Sequence, residues 1–138
     1  MTAPPELVQQ VPLFKDLDKR ELQGLASSMK ERNFNEGETI ASEGETGIGF
    51  FLIEEGEATV SIGGEERGTL KAGDHFGEVA LIDDGARTAT VTAKTPLKVY
   101  GITAWEFRPM VEENASLAWK LLQEMAKRLR DAELRAGS

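Results

Sequence analysis

The apolar positions of this chain change their spacing twice. Up to about residue 32 they follow a helical period. Leu22, Leu25, Ala26 and Met29 fall three or four residues apart, or side by side, behind Asp18, and Glu21 stands three residues after Asp18 in a capping-box pattern. From about 33 to 103 the period drops to two. Ala58, Val60 and Ile62 alternate with Thr59 and Ser61, and Ala89, Val91 and Ala93 alternate with Thr90 and Thr92. Phe50-Phe51-Leu52-Ile53 is a continuous apolar run between Gly49 and Gly56, as a buried strand requires, and Leu97 and Val99 supply a further strand after Pro96. Gly63-Gly64 offers a tight hairpin turn. Several short strands divided by glycine turns predict a β-roll or jelly-roll barrel. From about residue 104 the helical period returns. Trp105, Phe107 and Met110 are expected on a short helix interrupted by Pro109, and a longer helix is expected to start at an Asn114 N-cap. Its Ala118, Leu122, Met125, Leu129 and Ala132 form a heptad seam too short to establish a coiled coil.

Composition narrows the function classes. At 138 residues the chain is expected to be one domain, with helices over 1–32, the roll over 33–103 and helices over 104–138. It has no cysteine, so disulfides and thiolate chemistry are excluded. No apolar run approaches the roughly 18 residues of a membrane span, and the N-terminus lacks a signal-peptide pattern, so a cytoplasmic location is expected. The net charge of −8 resides entirely before residue 104: from there on, six basic residues balance six acidic ones. Such an acidic surface argues against a protein that grips nucleic-acid backbone. Lys127, Arg128, Arg130 and Arg135 are read as complements to a helix dipole. His75 is the only histidine, too few for a cupin-like metal site, and no serine–histidine arrangement supports a hydrolase; no metal, no cofactor and no enzyme activity are expected.

The stretch from Gly73 to Thr90 departs from plain alternation. It holds Gly77, the carboxylate Glu78, the apolar Val79-Ala80-Leu81, a turn at Asp84-Gly85, and Arg87. Gly77 permits close approach of backbone to a ligand. One helical turn at Val79-Ala80-Leu81 would aim free amides at an anion. Arg87, nine residues past Glu78, would return to the same spot and offer a guanidinium fork to phosphate oxygens. Glu78, an acceptor only, suits sugar hydroxyls.

This segment resembles the phosphate-binding cassette of cyclic-nucleotide-binding domains, found in catabolite-activator-type regulators, kinase regulatory subunits and nucleotide-gated channels. Pro12-Leu13-Phe14, Phe34-Asn35-Glu36-Gly37-Glu38-Thr39-Ile40, Glu43-Gly44-Glu45, Phe51-Leu52-Ile53-Glu54-Glu55-Gly56 and Gly73-Asp74 stand where family members carry similar residues, so the resemblance covers nearly the whole chain. It implies a mainly β fold, an eight-stranded roll or barrel flanked by helices, with the cassette over 76–90. It also implies a sensor of cAMP or cGMP that signals through rearrangement of the C-terminal helix. Gly77, Val79, Ala80 and Ala89 would contribute amides, Glu78 would bind the ribose 2′-hydroxyl and Arg87 the exocyclic phosphate oxygens. Ala86 departs from the proline of many members and leaves the turn before Arg87 less rigid.

Other positions carry weaker expectations. Phe76 and Val60 are candidates for the pocket wall, with core packing the plainer reading of Val60, and Arg128 is a candidate partner of Glu78. Thr88 would touch a guanine amino group or is an ordinary strand threonine. Asp131 or Glu133 would accept guanine's adjacent N–H groups, or both are solvated helix-surface acids, which is the preferred reading. Trp119 would cap the purine or, as preferred, pack on the roll. A homodimer through the C-terminal helix or an unknown protein effector are the expected partners, with no nucleic acid and no membrane. An appended DNA-binding domain is not expected after that helix. The alternative is a non-binding scaffold or dimerisation module with the same fold.

Overall fold

The computed structural model describes residues 1–45, 49–77, 81–83 and 87–137. The chain opens with α1 (Pro5–Gln9), a 3-10 turn (Pro12–Phe14) and α2 (Lys19–Ser28). Eight described strands follow: β1 (Lys30–Phe34), β2 (Thr39–Ala41), β3 (Phe50–Glu55), β4 (Ala58–Ile62), β5 (Glu65–Leu70), β6 (His75–Phe76), β7 (Thr90–Ala93) and β8 (Leu97–Ile102). Helices α3 (Ala104–Glu112) and α4 (Ala115–Arg135) complete it. The strands pair antiparallel in two four-stranded sheets, ordered β1-β8-β3-β6 and β2-β7-β4-β5. The mainly β fold with flanking helices is thus as the sequence led us to expect, but among the described residues the sheets do not close as a barrel. The edge strands β2 and β6 have only three and two residues, too few to carry hydrogen bonding around a closed circumference.

The continuous apolar run of β3 has a simple cause: both of its faces are covered. Phe50 and Leu52 join Phe14, Leu25, Met29, Tyr100, Phe107, Leu117 and Leu121 in a core between sheet and helices. Phe51 and Ile53 join Ile40, Ala58, Val91, Ala93, Leu97 and Val99 between the two sheets. The Phe14 ring meets Phe50 edge-on at 5.5 Å, anchoring the 3-10 turn to the sheet. Gly63 and Gly64, at φ 61° and 80°, make the two-residue turn between β4 and β5.

Three details differ from the sequence reading. The first helical region ends at Ser28, because Met29 turns extended at ψ 121° and is fully buried, and β1 begins at Lys30. Helix α3 runs through Pro109 instead of breaking there. The carbonyl that loses its partner belongs to Trp105, a residue 86% exposed, where water can replace the bond. In α4 the inward row is Leu117, Leu121 and Glu124, whereas the seam residues Leu122 and Leu129 are exposed.

Polar ties set that rotation of α4. The buried Glu21 carboxylate of α2, which also completes the Asp18 capping box, accepts a hydrogen bond from Lys120 Nζ at 2.6 Å. Asn114 Nδ2 reaches the other oxygen of Glu21 at 3.5 Å while Asn114 caps α4 by accepting from the Leu117 amide. Lys15 pairs with the buried Glu124 at 3.6 Å. Burial works to raise the Glu21 carboxyl, but the hydrogen bonds from Lys120 and the Asp18 amide, together with the Lys120 charge, hold it below the ordinary carboxylate range. The hydrogen bond to Glu21 raises Lys120 above the usual lysine value. A carboxyl depressed in the folded state stabilises the fold above its unfolded pKa, and that contribution is lost as pH falls through the folded value. A lysine raised in the folded state contributes below its unfolded pKa and ceases to as pH rises through the folded value. Glu21→Gln is therefore expected to lower the melting temperature at neutral pH by an amount that shrinks as the medium is acidified through the carboxylate range. Melting curves of both proteins across pH check this, and a penalty independent of pH would exclude the ion pair as its source.

Candidate functional site

The segment singled out by its irregular pattern begins on β6, which lies on β3 with Phe51 opposite Phe76 and Leu52 opposite His75. The Phe51 and Phe76 rings are 5.3 Å apart, so the half-buried Phe76 closes the space between the sheets at this edge. Gly77 then turns the chain at φ 88°, a conformation that side chains resist. A Cβ at this position would run into Arg87 Nη1 and the carbonyl oxygen of Gly49. Three groups therefore converge here: the backbone of Gly77, the carbonyl that precedes β3, and the guanidinium.

Arg87 is held at both ends. Its Nη2 donates to the Gly49 carbonyl at 2.5 Å. Its amide donates to the Glu45 carbonyl at 2.7 Å, and its own carbonyl accepts from the Gly44 amide at 2.9 Å. Those two bonds prolong the antiparallel pairing of β2 with β7, in which Ala41 faces Val91. The guanidinium is half-buried, and burial lowers its pKa from the usual arginine value, though an arginine remains protonated at any ordinary pH. Its Nε is fully shielded from solvent and has no hydrogen-bond partner among the described residues. A partly desolvated cation with an unsatisfied donor favours an incoming anion, which restores both charge compensation and a hydrogen bond.

Gly77 and Arg87, ten residues apart, are thus adjacent in space. Glu78, Val79 and Ala80, and the Asp84-Gly85-Ala86 turn, lie outside the described residues. Thr88 is exposed beside Arg87, and Ala89 is half-buried. Val60 is half-buried on β4 and packs against the inter-sheet core, opposite Val91. Arg128 is half-buried on α4, while Asp131 and Glu133 are exposed near its end. Trp119 is 63% exposed and does not pack on the roll as expected, since its position on α4 faces away from the inward row of Leu117, Leu121 and Glu124. Among the described residues there is no cluster of three or more potential metal ligands, and no helix is long and apolar enough to cross a membrane. Sequence reasoning missed the Gly49 carbonyl and the backbone of residues 44 and 45 as partners of Arg87. Main-chain groups leave no residue-type signal; Gly49 stood out only as the boundary of an apolar run.

Leu81, just past the cassette residues outside the description, is 5% exposed and belongs to the core shared with Leu117 and Leu121 of α4. The site and the last helix therefore contribute to one hydrophobic core.

Residues 31–114 match the family model described as the cyclic nucleotide-binding domain. The chain is 47% identical over 94 residues to a cAMP-dependent protein kinase regulatory subunit of Yarrowia lipolytica, covering 67% of this chain and 25% of that protein. It is 42% identical over 94 residues to the corresponding subunit of Schizosaccharomyces pombe, covering 67% of this chain and 23% of the other. It thus spans about a quarter of the length of these curated relatives. The N-terminal domain of a transcriptional regulator from Streptomyces coelicolor superposes with a TM-score of 0.87 at 27% identity, covering 94% of both chains. PfPKA-R (141-441) with cAMP bound superposes with a TM-score of 0.69 at 29% identity, covering 88% of this chain and 46% of the other. The chain is a member of the cyclic nucleotide-binding domain family.

Proposed function

We propose that this chain binds cAMP as a regulatory module, with Arg87 pairing with the exocyclic oxygens of the cyclic phosphate. One observation carries the reading: the half-buried Arg87 guanidinium, fixed by Gly49 beside the backbone of Gly77, keeps a shielded donor without a partner among the described residues. A compact monoanion supplies the missing acceptor. Glu78 binds the ribose 2′-hydroxyl, and the amides of Gly77, Val79, Ala80 and Ala89 cradle the phosphate, roles that rest on the family resemblance. cAMP is favoured over cGMP because the regulatory subunits matched are named as cAMP-dependent and one neighbour holds cAMP. The exposure of Asp131 and Glu133 supports their reading as solvated helix-surface acids. Ligand capture is reported by α4, since Leu81 within the cassette shares a core with Leu117 and Leu121. The exposed Leu122 and Leu129 support self-association along the same helix, and sedimentation that stays monomeric at rising concentration would remove that element.

Calorimetric titration with cAMP and cGMP tests the reading. Arg87→Ala is expected to weaken cAMP binding by about tenfold to a hundredfold or more, since each charge-assisted hydrogen bond contributes roughly 1.5–3 kcal/mol. Arg87→Lys, which keeps the charge and loses the fork, is expected to fall between. Unchanged affinity in Arg87→Ala would refute the assignment, and cGMP binding more tightly than cAMP would reverse the choice of base.

Gly77→Ala is expected to lower the melting temperature, because a side chain at φ 88° carries about 1–3 kcal/mol of strain. It should weaken cAMP more severely than Gly73→Ala, which has a similar φ of 92° but open space around its Cβ. Equal loss of affinity in the two variants would show that crowding of Arg87 plays no part.

A further inference from the structure

We propose that Glu43 is a positioning residue for Arg87, tying the segment that aligns the arginine to the tip of the β4–β5 hairpin. The inference rests on the reading of Arg87 as the anion-binding residue.

The backbone of Arg87 is not part of a regular strand; it is aligned by residues 44 and 45, which accept its amide at 2.7 Å and donate to its carbonyl at 2.9 Å. That segment follows the three-residue strand β2, and its neighbours toward β3 contribute no regular structure among the described residues. Something must fix it for Arg87 to be fixed. Glu43 does so in two directions at once. Its amide donates to Thr90 Oγ1 at 3.0 Å, holding the segment to β7 three residues beyond Arg87. Its carboxylate Oε1 accepts from the Gly63 amide at 2.9 Å, reaching across to the turn that joins β4 to β5.

The partner at the hairpin has a conformational reason for being there. Gly63 and Gly64 both adopt positive φ, so their turn presents an amide outward that no strand pairing uses. An ionised carboxylate is the stronger acceptor for such an amide, but the geometry asks only for an oxygen at Oε1. Glutamine supplies one; alanine does not. The ties are solvent-exposed, so each contributes little to global stability, whereas a small displacement of residues 43–45 passes directly into Arg87 through two backbone bonds. The consequence belongs in ligand affinity more than in folding.

The experiment is calorimetric titration with cAMP of the wild type, Glu43→Ala and Glu43→Gln, each also in an Arg87→Lys background, with melting temperatures of the nucleotide-free proteins. Glu43→Ala should weaken cAMP binding by about three- to tenfold, with little change in melting temperature, and Glu43→Gln should retain most of the affinity. In the Arg87→Lys background the effect of Glu43→Ala should shrink, since a flexible point charge depends less on backbone alignment than a planar fork does. Wild-type affinity in Glu43→Ala would overturn the inference while leaving Arg87's role intact. So would a Glu43→Gln as weak as Glu43→Ala, or an undiminished effect beside lysine. A wild-type protein that binds no cAMP would overturn both this inference and the function it rests on.

Discussion

A guanidinium taken partly out of water has to be held by the groups around it. In this protein Arg87 is gripped at its Nη2 by a carbonyl and at its backbone by an antiparallel neighbour, while Nε is shielded and has no partner among the described residues. The cost of taking a cation partly out of water is met only in part by these contacts. An anion paired with the guanidinium would offset more of that cost. Gly77 and Gly49 are the steric condition for this: at Gly77 a Cβ would meet the guanidinium, and at Gly49 it would collide with the Ile102 carbonyl.

The roll exists to bring these pieces together. Strand β3 has a core on each face, so the Gly49 carbonyl at its head is placed by packing as well as by hydrogen bonding. On one side β3 pairs with β6, which delivers Gly77; on the other it pairs with β8, which carries Tyr100 and Ile102 into the helix-side core. Large-to-small changes along β3 would leave cavities in a close-packed interior and loosen the head of the strand with it.

The helices are attached by a different mix of forces. Apolar contacts from Leu117 and Leu121 dock α4, but its rotation is set by Lys120 on Glu21 and by Lys15 on Glu124, ion pairs with one buried carboxylate each. Such pairs offset desolvation only while the geometry holds, which makes them a poor source of net stability and a good source of one particular orientation. The same rotation leaves Trp119 in solvent together with Leu122 and Leu129, two residues of the heptad seam visible in the sequence.

Much of this was legible in the chain. The change of period from helical to alternating and back located the roll and its flanking helices. The Asp18–Glu21 and Asn114 caps and the Gly63-Gly64 turn depend on local hydrogen bonding and on φ alone, and they stand where expected. The resemblance of Gly73 to Thr90 to a phosphate-binding cassette singled out Gly77 and Arg87, because glycine and arginine carry their chemistry in their residue type. What the sequence could not fix was every feature made by main-chain atoms or by contact between distant segments. The passage of α3 through Pro109, the open edges of the two sheets and the rotation of α4 each depended on which carbonyl met water or which side chain met a partner 99 residues away. The seat of Arg87 was decided the same way: the side chain was evident from the sequence, while the Gly49 carbonyl and the 44–45 backbone that hold it have no letter of their own and acquire a role only when the chain folds.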